Sequence, residues 1–259
     1  MRKDALSLEA SRLAELDLDT YPWFHERHRV FPAVFEGRSH RRILDVASGM
    51  GVLAARITAA EGDPFLVCND ISPECLKSLR GAGFCASCFD LDEPAAAFPF
   101  RDGSFDAVIA LATIEHLIHV DHFLAEVRRV LAPEGRFYLS APNYSGLAYL
   151  VPLLLTGRTF HDPLSPKDSY EFFAHVRYFT YRSLLEYAAT FGLHPEAVYV
   201  PLPEGSARYR RLRAKSRGLA ALFRATAWLA YRASPRWAAE PVICFATRPP
   251  RRGLRKVLL

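Results

Sequence analysis

Read for apolar and polar periodicity, the chain alternates short apolar runs with amphipathic stretches. Apolar runs of five to seven residues, bounded by Gly, Pro and Asp, fall near 43–47, 65–69, 84–89, 105–111 and 136–141. Runs of that length suit parallel strands covered on both faces. Two later runs, about 197–200 and 242–247, predict a sixth and a seventh strand. Helical patterns lie between them. One covers 52–60. Another opens at Asp121, places Phe123, Leu124, Val127 and Leu131 on one face, and ends at Pro133 and Gly135. Thr180 caps a helix over 181–190 that Gly192 closes. Residues 5–36 read as two helical pieces broken near Tyr21-Pro22. Such alternation is the pattern of an α/β sheet with helices on both faces.

The first strand ends in the most informative stretch, ILDVASGMG at 43–51. Small residues recur at every second position, Ala47, Gly49 and Gly51, before a helix opens. Glycines there let a ligand lie on the backbone, and the helix N-terminus favours a negative group such as a carboxylate. Twenty-one residues past Gly49, the second strand ends in Asn69-Asp70. An acid at that tip is placed to accept hydrogen bonds from a ribose. Together the two features imply a nucleoside-bearing cofactor.

More motifs follow in order. FDLD at 89–92 ends the third strand, and DGSFDAVIA at 102–110 is a turn feeding the fourth. IEHL at 114–117 comes next, then FLAEVRRVLAPEGRFYLSAPN at 123–143, which reads as helix, break and fifth strand. This order resembles the class I S-adenosylmethionine-dependent methyltransferases, of the type 11 kind. The resemblance spans 43–143, resumes at HVRYFTYRSLL (175–185) and ends at the strand 242–247. It implies a Rossmann-like sheet of seven strands with the last antiparallel, in a single domain over 1–259. Within it, 1–42 would be an N-terminal helical cap, 43–143 the cofactor-binding core, 144–174 a lid and 203–240 a basic helical insert.

The resemblance also assigns roles, with S-adenosyl-L-methionine as cofactor. Asp45 would order the loop and meet the methionine amino group. Ala47, Gly49 and Gly51 would pass under the methionine and adenosine. Asp70, with Ile71 beside it, would hold the ribose hydroxyls, and Asp90 and Leu91 would bracket the adenine. The segment 110–113, with Leu111, would line the methyl-donor pocket. Ala47 replaces the usual glycine, and because Ala resists positive φ it is expected to keep ordinary dihedrals.

Competing chemistries are poorly matched. A nicotinamide enzyme would want Gly-x-Gly-x-x-Gly, but Leu53-Ala54 stand where the third glycine should fall. No Gly-x-x-x-x-Gly-Lys-[Ser/Thr] phosphate loop occurs. An Asn/Asp-Pro-Pro-Tyr motif for methylating base amino groups is replaced by LATI at 111–114. The 259 residues suffice for one large core, and no run approaches the roughly 20 apolar residues of a membrane span. The N-terminus shows no apolar signal region, so a cytoplasmic location is expected. Cys85 and Cys88 form a CxxC without a second ligand pair, which reads as reduced thiols near strand three.

Charge is segregated. Residues 205–259 hold 14 Lys/Arg and one acid, a net of +13, whereas the other 204 residues hold 19 Lys/Arg and 27 acids, a net of −8. A helix over 218–233 would gather Leu219, Leu222, Phe223, Leu229 and Ala230 on one side, with Trp228 and Tyr231 nearby and arginines on other sides. Three readings stand for 207–236: packing on the domain or on a second subunit as a homodimer, peripheral membrane contact, or nucleic acid. Nucleic acid ranks last because aromatics and arginines are not interleaved for stacking.

Methyl transfer from a sulfonium is an in-line displacement in which the protein mainly orients the partners. A hydroxyl acceptor needs a general base, for which histidine is the first choice. His116, His175 and, more weakly, His119 are the candidates. Ubiquinone-pathway O-methyltransferases resemble the IEHL segment but carry an extra metal-binding Glu where this chain has Ala112, so no metal is expected. The reading is S-adenosylmethionine-dependent O-methylation of a small molecule, saccharide or lipid-linked intermediate. The alternative is a non-catalytic cofactor-binding subunit that activates a partner enzyme.

Overall fold

The computed structural model describes residues 31–35, 37–62, 64–159, 164, 174–205 and 207–259. Residues 1–30 of the expected cap lie outside the described residues, as does most of the polar half of the expected lid.

Eight strands form one sheet: β1 (Arg42–Val46), β2 (Phe65–Asn69), β3 (Cys85–Ser87), β4 (Phe105–Leu111), β5 (Leu131–Ser140), β6 (His194–Val200), β7 (Val242–Ala246) and β8 (Arg255–Leu258). Their order is β3-β2-β1-β4-β5-β7-β6-β8. β1 pairs in parallel with β2 and β4, and β4 with β5, while β7 runs antiparallel to both β5 and β6. The expected reversal of the seventh strand is therefore present. The count of seven needs correction, because β8 adds a parallel edge beside β6. Its sequence, RKVL, has two cations and no apolar run, so periodicity could not find it. The exposed Arg255 and Lys256 also discourage further strands from joining that edge.

Helices cover both faces: α1 (Phe31–Val34), α2 (Val52–Glu61), α3 (Pro73–Gly81), α4 (Val120–Val130), α5 (Leu147–Thr156), α6 (Tyr181–Thr190), α7 (Ala207–Lys215) and α8 (Arg217–Ala233). Alternate strand residues point to opposite faces. Ile43, Cys68, Ile109, Tyr138, Tyr199 and Cys244 pack with α1, α2 and α3. Leu44, Val67, Val108, Phe137, Val198 and Phe245 pack with α4, α6 and α8. Burial of both side-chain sets is why these strands read as unbroken apolar runs.

Local chemistry fixes the ends. Thr180 and Ser183 form a reciprocal capping box at α6, as the sequence suggested for Thr180. α4 stops at Val130 and passes directly into β5 at Leu131, five residues before the expected strand start. Pro133 and Gly135 thus mark an irregularity inside a strand, where pairing with β4 shifts register. A Cβ on Gly135 would lie 2.9 Å from the Ala132 carbonyl, so the backbone is too close for a side chain. The expected lid begins as α5, a helix that tolerates an internal Pro152 and leaves Leu154 and Leu155 exposed.

Candidate cofactor and methyl-transfer site

Strand order reverses between β1 and β4: β2 and β3 extend one way from β1, and the chain returns to β4 on its other side. Ligands of open α/β sheets bind at the carboxyl ends of strands at such a switch point. The turn after β1 lies there. Ala47, Gly49 and Gly51 take φ of 52°, 57° and 85°. The expectation that Ala47 keeps ordinary dihedrals is therefore wrong; it holds the left-handed conformation of the glycine it replaces. The loop is clamped hard enough to impose this. The Ser48 amide donates to the Asn69 carbonyl at 2.9 Å, and the Gly49 amide donates to Asp70 Oδ2 at 2.8 Å. Asp70 Oδ1 accepts from the Ser72 amide at 2.9 Å. Gly51 is needed for space as well, since a Cβ there would meet Leu79 Cδ2 at 3.0 Å.

Three features suit a ligand with an ammonium, a carboxylate and a ribose. Asp45 is almost wholly buried, and its Oδ2 has no hydrogen-bond partner. Burial pushes its carboxyl up to about 7, only partly opposed by the Ser48 hydroxyl. A ligand cation would relieve that cost. α2 has neither a capping side chain nor an acid in its first turn, so its N-terminal amides are open to an anion. Asp70 sits half-buried at the β2 tip, where a carboxylate can accept hydrogen bonds from a sugar.

The remaining cofactor candidates ring the same edge. Leu91 is buried, and Asp90 Oδ1 accepts from the Asp92 amide at 2.9 Å, shaping the turn after β3. Ile71 is exposed beside Asp70. Leu111 is buried at the end of β4, followed by Ala112 with φ of 49°, whose amide donates to the Ser140 carbonyl at 3.1 Å.

The histidines separate into two groups. His116 and His175, 59 positions apart, bring their ring centroids to 4.8 Å in an edge-on contact. His116 Nδ1 lies 3.0 Å from the Ala174 carbonyl, which fixes the ring. The Glu115 carbonyl accepts from the amides of Val176 and Arg177 at 3.0 and 3.1 Å, so the two segments are stitched by backbone. His119 belongs elsewhere: its amide donates to Asp92 Oδ1 at 2.6 Å, at the start of α4. Glu115, His116 and His175 present ligand atoms within 4.8 Å of one another, the one such group among the described residues. Ala112 takes away one expected ligand, but His175 arrives from beyond the lid to make a different group of three potential ligands.

Two buried asparagines also join the site's elements. Asn69 is fully buried and its Nδ2 donates to the Phe89 carbonyl at 3.1 Å, joining β2 to the turn after β3. Asn143 donates to the carbonyls of Arg236 and Ala238 and accepts from the Tyr181 amide, so the end of β5, the start of α6 and the end of the basic insert share one side chain. The Pro-Asn pair after a strand was the available clue.

Fold and site together resemble the core of class I S-adenosylmethionine-dependent methyltransferases, and the orphaned Asp45 oxygen and uncapped α2 fit that cofactor. Residues 44–139 match the family model of the methyltransferase domain. The chain is 35% identical over 120 residues to the ubiquinone/menaquinone biosynthesis C-methyltransferase UbiE of Acidiphilium cryptum, covering 42% of this chain and 45% of that protein. It is 34% identical over 125 residues to the malonyl-[acyl-carrier protein] O-methyltransferase of Geobacter sulfurreducens, covering 47% of each. The chain thus spans about half the length of the curated relatives it matches. A solved S-adenosylmethionine-dependent methyltransferase of Thermotoga maritima shares the fold, with a TM-score of 0.57 at 13% identity over 89% of this chain and 96% of that one.

Proposed function

We propose that this protein transfers the methyl group of S-adenosylmethionine to a hydroxyl of a small molecule, saccharide or lipid-linked intermediate. The observation that carries the choice of acceptor is the His116–His175 pair, an imidazole couple at the carboxyl edge of the sheet beside the end of β4. The bound cofactor supplies an electrophilic methyl. Asp45 and the α2 N-terminus would hold its amino-acid end, Asp70 with Ile71 its ribose, and Asp90 and Leu91 its adenine. The Nε2 of His116, with its ring fixed by Ala174, or the ring of His175 accepts the hydroxyl proton as the acceptor oxygen attacks. The matched relatives methylate carbon in one case and oxygen in another, so acceptor chemistry is carried by these side chains and not by kinship.

A lipid-linked acceptor would be met at a membrane surface, and this reading gives that contact to 207–236. No described helix is long and apolar enough to cross a membrane, so the contact is peripheral.

The test begins with calorimetric titration of S-adenosylhomocysteine into wild type, Asp70→Asn and Asp70→Ala. Micromolar binding weakened in both variants supports the cofactor site. Methyl release from S-adenosylmethionine is then followed with hydroxylated acceptors. Cofactor binding with no turnover on any acceptor class would favour the activating-subunit reading, and no binding by wild type would end both.

A further inference from the structure

The basic insert folds as a helical pair with a groove between α7 and α8. The groove encloses about 480 Å³ and is lined by Tyr209 and Arg213 of α7 and by Arg217, Arg224 and Trp228 of α8. Arg224 is paired with Glu204 at 3.1 Å, whereas Arg213 and Arg217 meet no carboxylate among the described residues. The chain has no acid between Glu204 and Glu240.

The faces of α8 are sorted by helical geometry. Ala220, Ala227 and Tyr231 are buried against the domain. Leu222 and Leu229 point the opposite way and are 61% and 59% exposed. At 100° per residue, Arg217, Arg224 and Trp228 fall on the flank between those faces, toward α7. An outward leucine ridge beside cations, with a tryptophan at their boundary, is the layout of a helix lying in a bilayer interface. Trp228 is half-exposed and carries the Arg232 guanidinium 5.0 Å over its ring, which supports an aromatic side chain at headgroup level. The charge matches too: the net of +13 over 205–259 suits an anionic surface and no neutral one.

We infer that the α7–α8 groove binds the phosphate of an anionic lipid headgroup while Leu222 and Leu229 enter the acyl boundary beside it, docking the protein on a membrane. This deepens the peripheral contact proposed above, and it does not depend on methyl transfer. Arg213 and Arg217, which meet no described carboxylate, would take the phosphate oxygens, and Arg224 would exchange its bond to Glu204 for one to the lipid.

Co-sedimentation of the full chain with phosphatidylcholine vesicles, with and without phosphatidylglycerol, tests the idea. Wild type is expected to pellet only with the anionic vesicles and to be released by salt. Arg213→Ala/Arg217→Ala should weaken that binding by roughly thirtyfold, the loss expected for two surface cations. Leu222→Asp/Leu229→Asp should abolish it. S-adenosylhomocysteine affinity should be unchanged in both variants, which shows that they fold and separates this test from that of the methyl-transfer reading. Wild type remaining in the supernatant with anionic vesicles would overturn the inference, as would undiminished binding by the arginine variant. Tight calorimetric binding of inorganic phosphate without vesicle binding would reassign the groove to a soluble anion. A dimer in sedimentation velocity that the leucine variant dissolves, again without vesicle binding, would assign the ridge to a second copy.

Discussion

Asp45 gives the sharpest physical prediction. Its carboxylate is buried at the end of β1 with Oδ2 unpartnered, and burial raises it from 3.8 to about 7. At 1.36 kcal/mol per pH unit, that rise corresponds to about 4 kcal/mol of unfavourable charge burial in the ligand-free protein. The sign follows from proton counting. Between about pH 4 and 7 the folded carboxyl keeps a proton that the unfolded one has released, so stability falls as pH rises through this window and is level above it. Asp45→Asn is neutral at every pH and removes the effect. In urea denaturation without ligand, the variant should gain on wild type progressively across the window, by up to about 4 kcal/mol above pH 7. Cofactor binding should respond oppositely. Wild-type affinity for S-adenosylhomocysteine should climb as Asp45 ionises toward pH 7, while the variant should bind roughly tenfold or more weakly with little pH dependence, having lost a charged hydrogen bond. A stability difference that stays flat across the window would mean that Asp45 is ionised throughout, and would refute the reasoning.

Other consequences are direct. Ala47→Gly should raise stability by about 1 kcal/mol by relieving left-handed strain on an L-residue, seen as a rise of roughly 2–4 °C in melting temperature; a fall would show that the loop does not impose that conformation. His116→Asn and His175→Asn should each lower kcat, by roughly 10²- to 10⁴-fold for whichever is the proton acceptor, with S-adenosylhomocysteine affinity kept; equal loss of binding and turnover would make the pair structural. Dialysis against a chelator should leave turnover unchanged, whereas a loss restored by a divalent cation would reassign Glu115, His116 and His175 as metal ligands.

What the sequence made legible was local or periodic. Seven strands, the glycine-type turn and the capped helix after the lid follow from runs, spacings and one threonine. The eighth strand did not, because Arg255 and Lys256 hide the pairing that β6 supplies. The fifth strand began early because Leu131 to Gly135 looks like a helix stop in sequence and is a strand irregularity in space. The histidine candidates were legible singly. That His116 and His175 meet, while His119 is held at the start of α4 by the Asp92 contact, depends on a connection that closes over 59 positions. Asn143 escaped notice for a related reason: its partners lie 38, 93 and 95 positions away, and no local pattern announces them.

Ala47 carries the larger lesson about how the site is built. A residue with a Cβ holds φ of 52° at a position where glycine would be unstrained, so something must outweigh a penalty of about 1–2 kcal/mol. The two bonds on either side of the loop do so: Ser48 to the Asn69 carbonyl, and Gly49 to the Asp70 carboxylate. Both partners sit at the tip of β2, the strand whose acid is assigned to the ribose. Asp70 therefore has two jobs. It fixes the turn by accepting the Gly49 and Ser72 amides before any ligand arrives, and in the proposed reading it also meets the sugar. Folding, not binding, bears the cost of ordering this loop, and that is the condition under which a small turn can orient a reactive cofactor.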